Sequence, residues 1–96
     1  MSEVLKALAH PTRRDILQML KQREMSAGEI AARFELSKPT LSGHFNVLRE
    51  AGLVDVQRRG TTLIYRLNAS VLEEALLALM DGFGFGRSES QQEKER

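Results

Sequence analysis

The sequence predicts a mainly helical domain with one small β-hairpin, in the order four helices, two strands and a fifth helix. Apolar residues recur every three or four positions as far as Ala51 and again from Val71, which is the period of a helix buried on one side. Between Val54 and Leu67 they alternate with polar residues, which is the period of a β-strand. The change from one period to the other and back again is what predicts the order of the elements.

The chain is long enough for one domain. It has 96 residues, of which 42% are hydrophobic and 28% charged, and this composition is typical of a folded protein. We assign residues 1–86 to a single domain. Residues 87–96 contain no apolar residue, and we expect them to be a disordered polar tail.

The first two helices meet at a proline. Apolar residues at helical spacing predict a short helix over residues 3–9 and a second helix from Pro11 to about Lys21. The residue before a proline disfavours the helical conformation, whereas proline itself suits the first turn of a helix. We therefore interpret His10 as the cap at the junction between the two helices.

The third and fourth helices are joined by a short connection. Ser26 followed by Glu29 matches a capping box that opens the third helix. The apolar face of this helix contains Ile30, Ala31 and Phe34. Glu35-Leu36-Ser37 is the predicted connection, and Ser37 is the predicted N-cap of a fourth helix from Lys38 to about Ala51.

A hairpin and a fifth helix complete the domain. The alternation over residues 54–67 predicts two antiparallel strands with Arg58-Arg59-Gly60-Thr61 between them as the turn. Ser70, or Asn68 just before it, is the predicted cap of the fifth helix. The helix is expected to end in the glycine-rich segment 82–86.

The third and fourth helices form a helix-turn-helix pattern, and the hairpin makes it a winged helix-turn-helix of order ααααββα. With Leu41, Phe45 and Leu48 turned inward, the other side of the fourth helix is free to enter the major groove of double-stranded DNA. The predicted DNA contacts are Ser37, Lys38, Pro39, Thr40, Ser42, Gly43, His44 and Asn46, together with Arg58, Arg59 and Thr61 at the hairpin. The alternative is an ordinary solvated helix face and a hairpin whose charges serve solubility.

The two histidines allow more than one role. His44 lies beside the apolar stripe of its helix, so it is a partly buried and hydrogen-bonded residue, a DNA contact or a ligand. Two His without a Cys do not make a structural zinc site, although a zinc ion shared between two subunits stays open. We predict no metal and no cofactor.

The fifth helix is apolar over more than half of its circumference, which is too wide for one small core. We predict a homodimer formed by the first and last helices, with the alternative that the fifth helix only covers its own domain. The predicted interface residues are Val4, Leu5, Leu8, Leu72, Ala75, Leu76, Leu79, Met80 and Phe83.

Charge and composition exclude several classes of protein. Residues 1–69 carry a net charge of +4 and residues 70–96 a net charge of −3, and a basic body suits nucleic acid. There is no Cys, which excludes disulfides and thiol sensing. We find no membrane segment, no secretory signal and no catalytic cluster, and expect a cytoplasmic protein that is not an enzyme. A winged helix used for protein–protein contact is the remaining alternative.

Three segments resemble the ArsR-type winged-helix repressors. They are Ala7-Leu-Ala-His-Pro-Thr-Arg-Arg-Asp-Ile-Leu17, the fourth-helix segment 37–54, and Arg58-Arg-Gly-Thr-Thr-Leu-Ile-Tyr-Arg-Leu67. The resemblance covers nearly everything from Val4 to Met80. It implies a homodimer that binds an inverted-repeat operator and represses transcription, including that of its own gene, until an effector releases it.

The sensor residues of this family do not carry over. The family's thiolate site needs a Cys pair where this chain has Ala31-Ala-Arg-Phe34, and its last-helix metal site needs His, which is missing between Ser70 and Phe83. The resemblance is therefore to members that do not sense metals. The effector stays unknown.

Overall fold

The computed structural model describes residues 2–85, and it confirms a mainly helical winged helix-turn-helix. The helices are α1 (Ser2–Leu8), α2 (Pro11–Gln22), α3 (Ala27–Ala31), α4 (Lys38–Glu50) and α5 (Ala69–Gly82). The strands are β1 (Met25–Ser26), β2 (Val54–Arg59) and β3 (Thr62–Leu67), which form an antiparallel sheet of order β1-β3-β2. The predicted tail, residues 87–96, lies outside the described residues.

Side-chain caps determine where α2 and α3 begin. The Nδ1 atom of His10 accepts a hydrogen bond from the backbone N–H of Thr12 at 3.1 Å. Ser26 Oγ accepts from the Glu29 N–H at 3.0 Å, and Glu29 Oε1 accepts from the Ser26 N–H at 2.9 Å. Both predicted caps are confirmed, since each satisfies backbone donors that have no partner within the helix.

Left-handed glycines end α4 and α5. Gly52 has a φ of 75°, and the turn it makes lets the Leu53 N–H bond to the Leu48 carbonyl at 3.1 Å. Leu48 and Leu53 are both fully buried, so this turn also packs the helix end into the core. Gly84, with a φ of 82°, ends α5 in the same way.

The sheet has one strand more than predicted. Met25 and Ser26, for which the sequence predicts no strand and at Ser26 only a helix cap, pair with Tyr65 and Ile64 of β3. Two residues are too short to show a strand period, so the pairing depends on contacts distant in sequence. Arg58 and Arg59 belong to β2, and the turn is only Gly60-Thr61.

The connection between α3 and α4 is longer than predicted. The α-helix ends at Ala31, and two turns bonded from residue i to i−3, Arg33 N–H to Ile30 O and Phe34 N–H to Ala31 O, continue the chain. The connection thus covers residues 32–37 instead of three residues. At the start of α5, Asn68 is the N-cap by position but makes no capping side-chain bond.

One core joins the first four helices to the sheet. Ile16, Ile30, Leu48 and Leu53 are its largest fully buried side chains, and they come from α2, α3, α4 and the start of the hairpin. On α4, Phe45 stacks on Tyr65 of β3 with ring centroids 4.5 Å apart. The core therefore determines how α4 lies on the sheet.

Candidate nucleic-acid interface

Ser37 holds the first turn of α4. Its Oγ accepts a hydrogen bond from the Thr40 N–H at 3.2 Å and donates one to Thr40 Oγ1 at 2.9 Å. Pro39 also lies in this turn, where its missing N–H costs nothing. The predicted cap is confirmed. Because residues 37–40 are exposed, this helix end is open to an approaching phosphate.

The two sides of α4 differ sharply. Leu41, His44, Phe45 and Leu48 are buried. Six of the predicted DNA contacts, from the remaining sides of the helix, are all exposed: Lys38, Pro39, Thr40, Ser42, Gly43 and Asn46. The structure thus brings these residues together on one outward surface that is polar and weakly basic.

Gly43 lies in the middle of this outward surface. A Cβ atom added there would meet no heavy atom within 4 Å, so the packing of the protein does not require a glycine. Glycine in a helix interior costs about 1 kcal/mol relative to alanine. A helix without a side chain at this point lets another backbone approach closely, which suits contact with DNA.

The start of α3 connects this surface to the hairpin. Ala27 and Gly28 lie beside Lys38 and Ser42 in one shallow groove and beside Thr61 in another. Thr61 is exposed in the hairpin turn. The first half of α4, the start of α3 and the tip of the hairpin therefore form one continuous surface.

The two arginines of the hairpin lie on opposite faces of β2. Arg58 pairs with Leu63 and follows Val54 and Val56 on the face toward the core. Arg59 lies on the outer face, where its guanidinium contacts Glu24 at 2.8 Å and Gln57 at 3.0 Å. Within residues 2–85, Arg58 makes no ion pair, so its guanidinium is available to a phosphate.

His44 belongs to the inner side of α4. Only 8% of the residue is exposed, and its Nδ1 atom lies 3.1 Å from Nη1 of Arg13 on α2. Burial lowers the pKa of His44, and the charges of His10 and Arg13 lower it further. Among the alternatives left open by the sequence, the structure favours the buried and hydrogen-bonded one. We therefore remove His44 from the candidate DNA contacts.

Comparison with known proteins connects this geometry to a family. The profile of a family described as "Helix-turn-helix domain" matches residues 8–57, which is 50 of the 96 residues. The transcriptional repressor SdpR of Bacillus subtilis is 43% identical over 76 residues, which cover 79% of this chain and 84% of SdpR. The ArsR-like transcriptional regulator from Rhodococcus sp. RHA1 superposes with a TM-score of 0.77 at 26% identity, covering 98% of this chain and 85% of that protein.

The chain belongs to the ArsR family. It is a winged helix-turn-helix transcriptional regulator that binds double-stranded DNA, and it is not an enzyme. The sense of regulation varies among its relatives, since HlyU of Vibrio cholerae is named a transcriptional activator. HlyU is 39% identical over 77 residues, covering 80% of this chain and 70% of HlyU.

A second surface of this ArsR-family chain is apolar. Along the 14 residues of α5 only Ala75 is buried, whereas Leu76, Leu77, Met80 and Phe83 are exposed, the last by 72%. Leu77 is 64% exposed and was missed by the sequence analysis, because it falls outside the main apolar stripe. Phe85, just beyond the helix, is also exposed.

The structure divides the predicted interface residues into three groups. Val4 and Ala75 are buried in the core of their own domain, so they are corrected to core residues. Leu8, Leu72 and Leu79 are half-buried. The exposed members are Leu5, Leu76, Met80 and Phe83. Leu8 and Leu72 also line an apolar groove between α1, α2 and α5, together with Leu17, Leu67 and Leu76.

The positions where the family's sensors would lie carry other residues. On α3, Ala31 packs half-buried beside the core. On α5, Glu73 and Glu74 are exposed. In the stretch from residue 2 to residue 85, no three His, Asp or Glu side chains gather in a way that could hold a metal ion. No helix of that stretch has the length and apolar character needed to span a membrane.

Proposed function

We propose that this ArsR-family regulator is a homodimeric, sequence-specific repressor that binds an inverted-repeat operator through α4. The observation that carries the proposal is the division of α4, whose apolar side is buried in its own domain and whose polar side is left outward. A helix held in this way has the width that the major groove of DNA admits. Since its relatives are bacterial and its target is DNA, we place its action in the cytoplasm.

The exposed residues of α4 have distinct proposed roles. Ser37 and Lys38 contact phosphate at the helix N-terminus, where the dipole and the ammonium group both favour negative charge. Thr40, Ser42 and Asn46 contact base edges, and the Asn46 amide suits adenine, which offers one donor and one acceptor. Gly43 lets the helix backbone approach closely.

Arg58 and Thr61 contact the phosphates beside the groove that α4 enters. Arg58 lies on the face of the sheet against which α4 packs, and it makes no ion pair within the described part of the chain. Arg59 contributes less, because its guanidinium is already paired with Glu24. The hairpin thus adds affinity that does not depend on sequence.

The dimer is proposed from α1 and α5. Only one residue of this 14-residue helix is buried, so its apolar face is exposed to water, which is unfavourable in free energy. We propose that a second copy covers this face and the leucine-lined groove beside it. A two-fold axis then presents two α4 helices to half-sites one helical turn of DNA apart, or a multiple of that distance.

Repression without a metal or thiol sensor completes the proposal. Repression is supported by SdpR, which is named a repressor, whereas the activator HlyU is the contrary example. The absence of Cys removes thiol chemistry as a means of release. Control of its own gene is the simplest regulatory circuit for such a protein, and we include it in the proposal.

The deciding experiment is footprinting of the DNA upstream of the protein's own gene, combined with a reporter driven by that DNA. We expect a protected palindrome and lower reporter expression when the protein is present. Ser42→Asp, which places a negative charge on the outward side of α4, should abolish both effects. Protection without a fall in expression would reject repression, and no protection at any upstream sequence would reject autoregulation.

A further inference from the structure

One arginine joins α1 to the inner side of α4. Arg13 of α2 donates from Nε to the Ala7 carbonyl and from Nη2 to the Lys6 carbonyl, each at 2.9 Å. Its third contact is with His44 Nδ1 at 3.1 Å. The guanidinium therefore links the last turn of the proposed dimerisation helix to the inner side of the proposed recognition helix.

The position of the proton on His44 follows from this contact. Arginine carries only donors and stays charged, so Nδ1 of His44 must be the acceptor. The ring is then neutral, with its proton on Nε2. A second proton would occupy Nδ1, remove the acceptor and place a positive charge beside the guanidinium, in a position where only 8% of the residue is exposed.

Within residues 2–85, no acidic side chain is among the groups that shift the pKa of His44. The groups whose charge bears on His44 are Arg13 of α2 and His10 just before it, whose ring centroid lies 4.5 Å from that of His44. On α1, the side chains of Glu3 and Lys6 are exposed, and on α4 the ionisable residues other than His44 are exposed as well. In the part of the chain that the structure describes, the charged groups that bear on His44 thus oppose its protonation.

We propose that Arg13 and His44 are positioning residues that hold α4 at a set position relative to α1, and that protonation of His44 releases this hold and lowers operator affinity. The inference rests on the proposed function. Two α4 helices in a dimer must match two half-sites at once, so a shift between α1 and α4 affects the complete palindrome more than an isolated half-site.

The direction of the pH effect follows from linkage. The pKa of His44 is lowered in the folded protein, so the unfolded chain takes up the proton first. The contribution of the junction to stability is complete above about pH 6.5, the ordinary value for histidine, and declines as the pH falls below it. Protonation also adds positive charge, which by itself strengthens binding to phosphate. Weaker operator binding in acid is therefore opposite to the general electrostatic effect.

The test uses the full chain and a duplex that the wild-type protein selects from a random DNA pool at pH 7.5. Fluorescence anisotropy compares this duplex with one of its half-sites at pH 7.5 and pH 5.5. The wild-type protein should lose about tenfold or more in affinity for the palindrome in acid, as expected for a lost hydrogen bond to a charged group, and clearly less for the half-site. His44→Gln keeps an acceptor for Arg13 but cannot titrate, so its loss should be much smaller.

Two further variants and one measurement without DNA complete the design. His10→Asn keeps an N-cap but removes one of the charges that oppose protonation of His44, so its loss of affinity should begin at a higher pH than that of the wild type. Arg13→Lys should reduce selectivity for palindrome over half-site already at pH 7.5, with unchanged circular dichroism. Independently of DNA, the Tm of the wild type should fall more between pH 7.5 and pH 5.5 than that of His44→Gln. Equal pH dependence of the two proteins in both assays would overturn the proposal, whereas a pool without any bound duplex would instead reject the proposed function.

Discussion

The helices α4 and α5 have almost the same length but differ in how much of them is buried. α4 has 13 residues and buries four of them, whereas α5 has 14 residues and buries only Ala75. The apolar content of the two helices shows the opposite order, since nine residues of α5 are Ala, Val, Leu or Met and only four residues of α4 are apolar. The more apolar of the two helices is thus the less buried.

This difference separates two functions that composition alone would confuse. The few apolar residues of α4 pack against its own domain, and this packing holds its polar side outward with a definite orientation. α5 has more apolar surface than its own domain covers, and for this reason we propose that a second copy of the chain covers the rest. We therefore expect changes on α4 to act on each domain by itself and changes on α5 to act through the dimer.

The largest expected effect comes from Leu76→Glu on α5. A carboxylate in an apolar interface costs several kcal/mol, so the protein should become monomeric in analytical ultracentrifugation. Affinity for a palindromic operator should fall about 100-fold or more, because the two α4 helices no longer bind as one unit. Leu36→Glu is the matched control, since Leu36 is 40% exposed and Leu76 42%. If the Leu76→Glu protein were still a dimer, α5 would not form the dimer interface.

A fully buried residue of α4 gives the next largest effect. Leu48→Ala should lower the free energy of unfolding by about 2–5 kcal/mol, because it leaves a cavity in the core. The same change at the exposed Leu36 should cost about 0.5 kcal/mol or less. Urea denaturation measures both. Equal losses of stability for the two variants would contradict the burial of Leu48 in the core.

Local signals in the sequence were sufficient for much of this architecture. The caps at His10, Ser26 and Ser37 were predicted because each acts within a few residues of chain. The outward side of α4 was predicted for the same reason, since helical periodicity separates Asn46 from Leu48. The start of α5, the end of α3 and the length of the hairpin turn departed from their local signals.

Contacts distant in sequence could not be predicted. The bond between Arg13 and His44 joins residues 31 apart, and the ion pair between Arg59 and Glu24 joins residues 35 apart. Neither pair has a local period or motif, and each depends on how the helices and the sheet come together. Leu77 was missed for a related reason, because its exposure depends on which other elements pack against α5.

A smaller effect tests whether the outward side of α4 reads sequence. Asn46→Ala should lose about 1–3 kcal/mol of discrimination at one base pair while leaving the dimer intact. Lys38→Ala should instead weaken binding to all duplexes alike, because we propose that Lys38 contacts phosphate, which is the same in every sequence. Competition with single-base operator variants distinguishes the two patterns. Uniform weakening by both changes would mean that Asn46 does not contact a base.

The smallest effect concerns the two arginines beside α4. Arg58→Ala should reduce the slope of log affinity against log salt by about 0.9, the value for one phosphate contact. Arg59→Ala should reduce it less, because its exposed ion pair with Glu24 must open first. Such a pair is worth about 1 kcal/mol or less, so the two variants should differ by no more than about fivefold in affinity. Glu24→Gln removes the competitor, and in that background Arg59→Ala should match Arg58→Ala. If Arg59→Ala already has the larger effect in the wild-type background, the ion pair with Glu24 does not reduce the contribution of Arg59 to DNA binding.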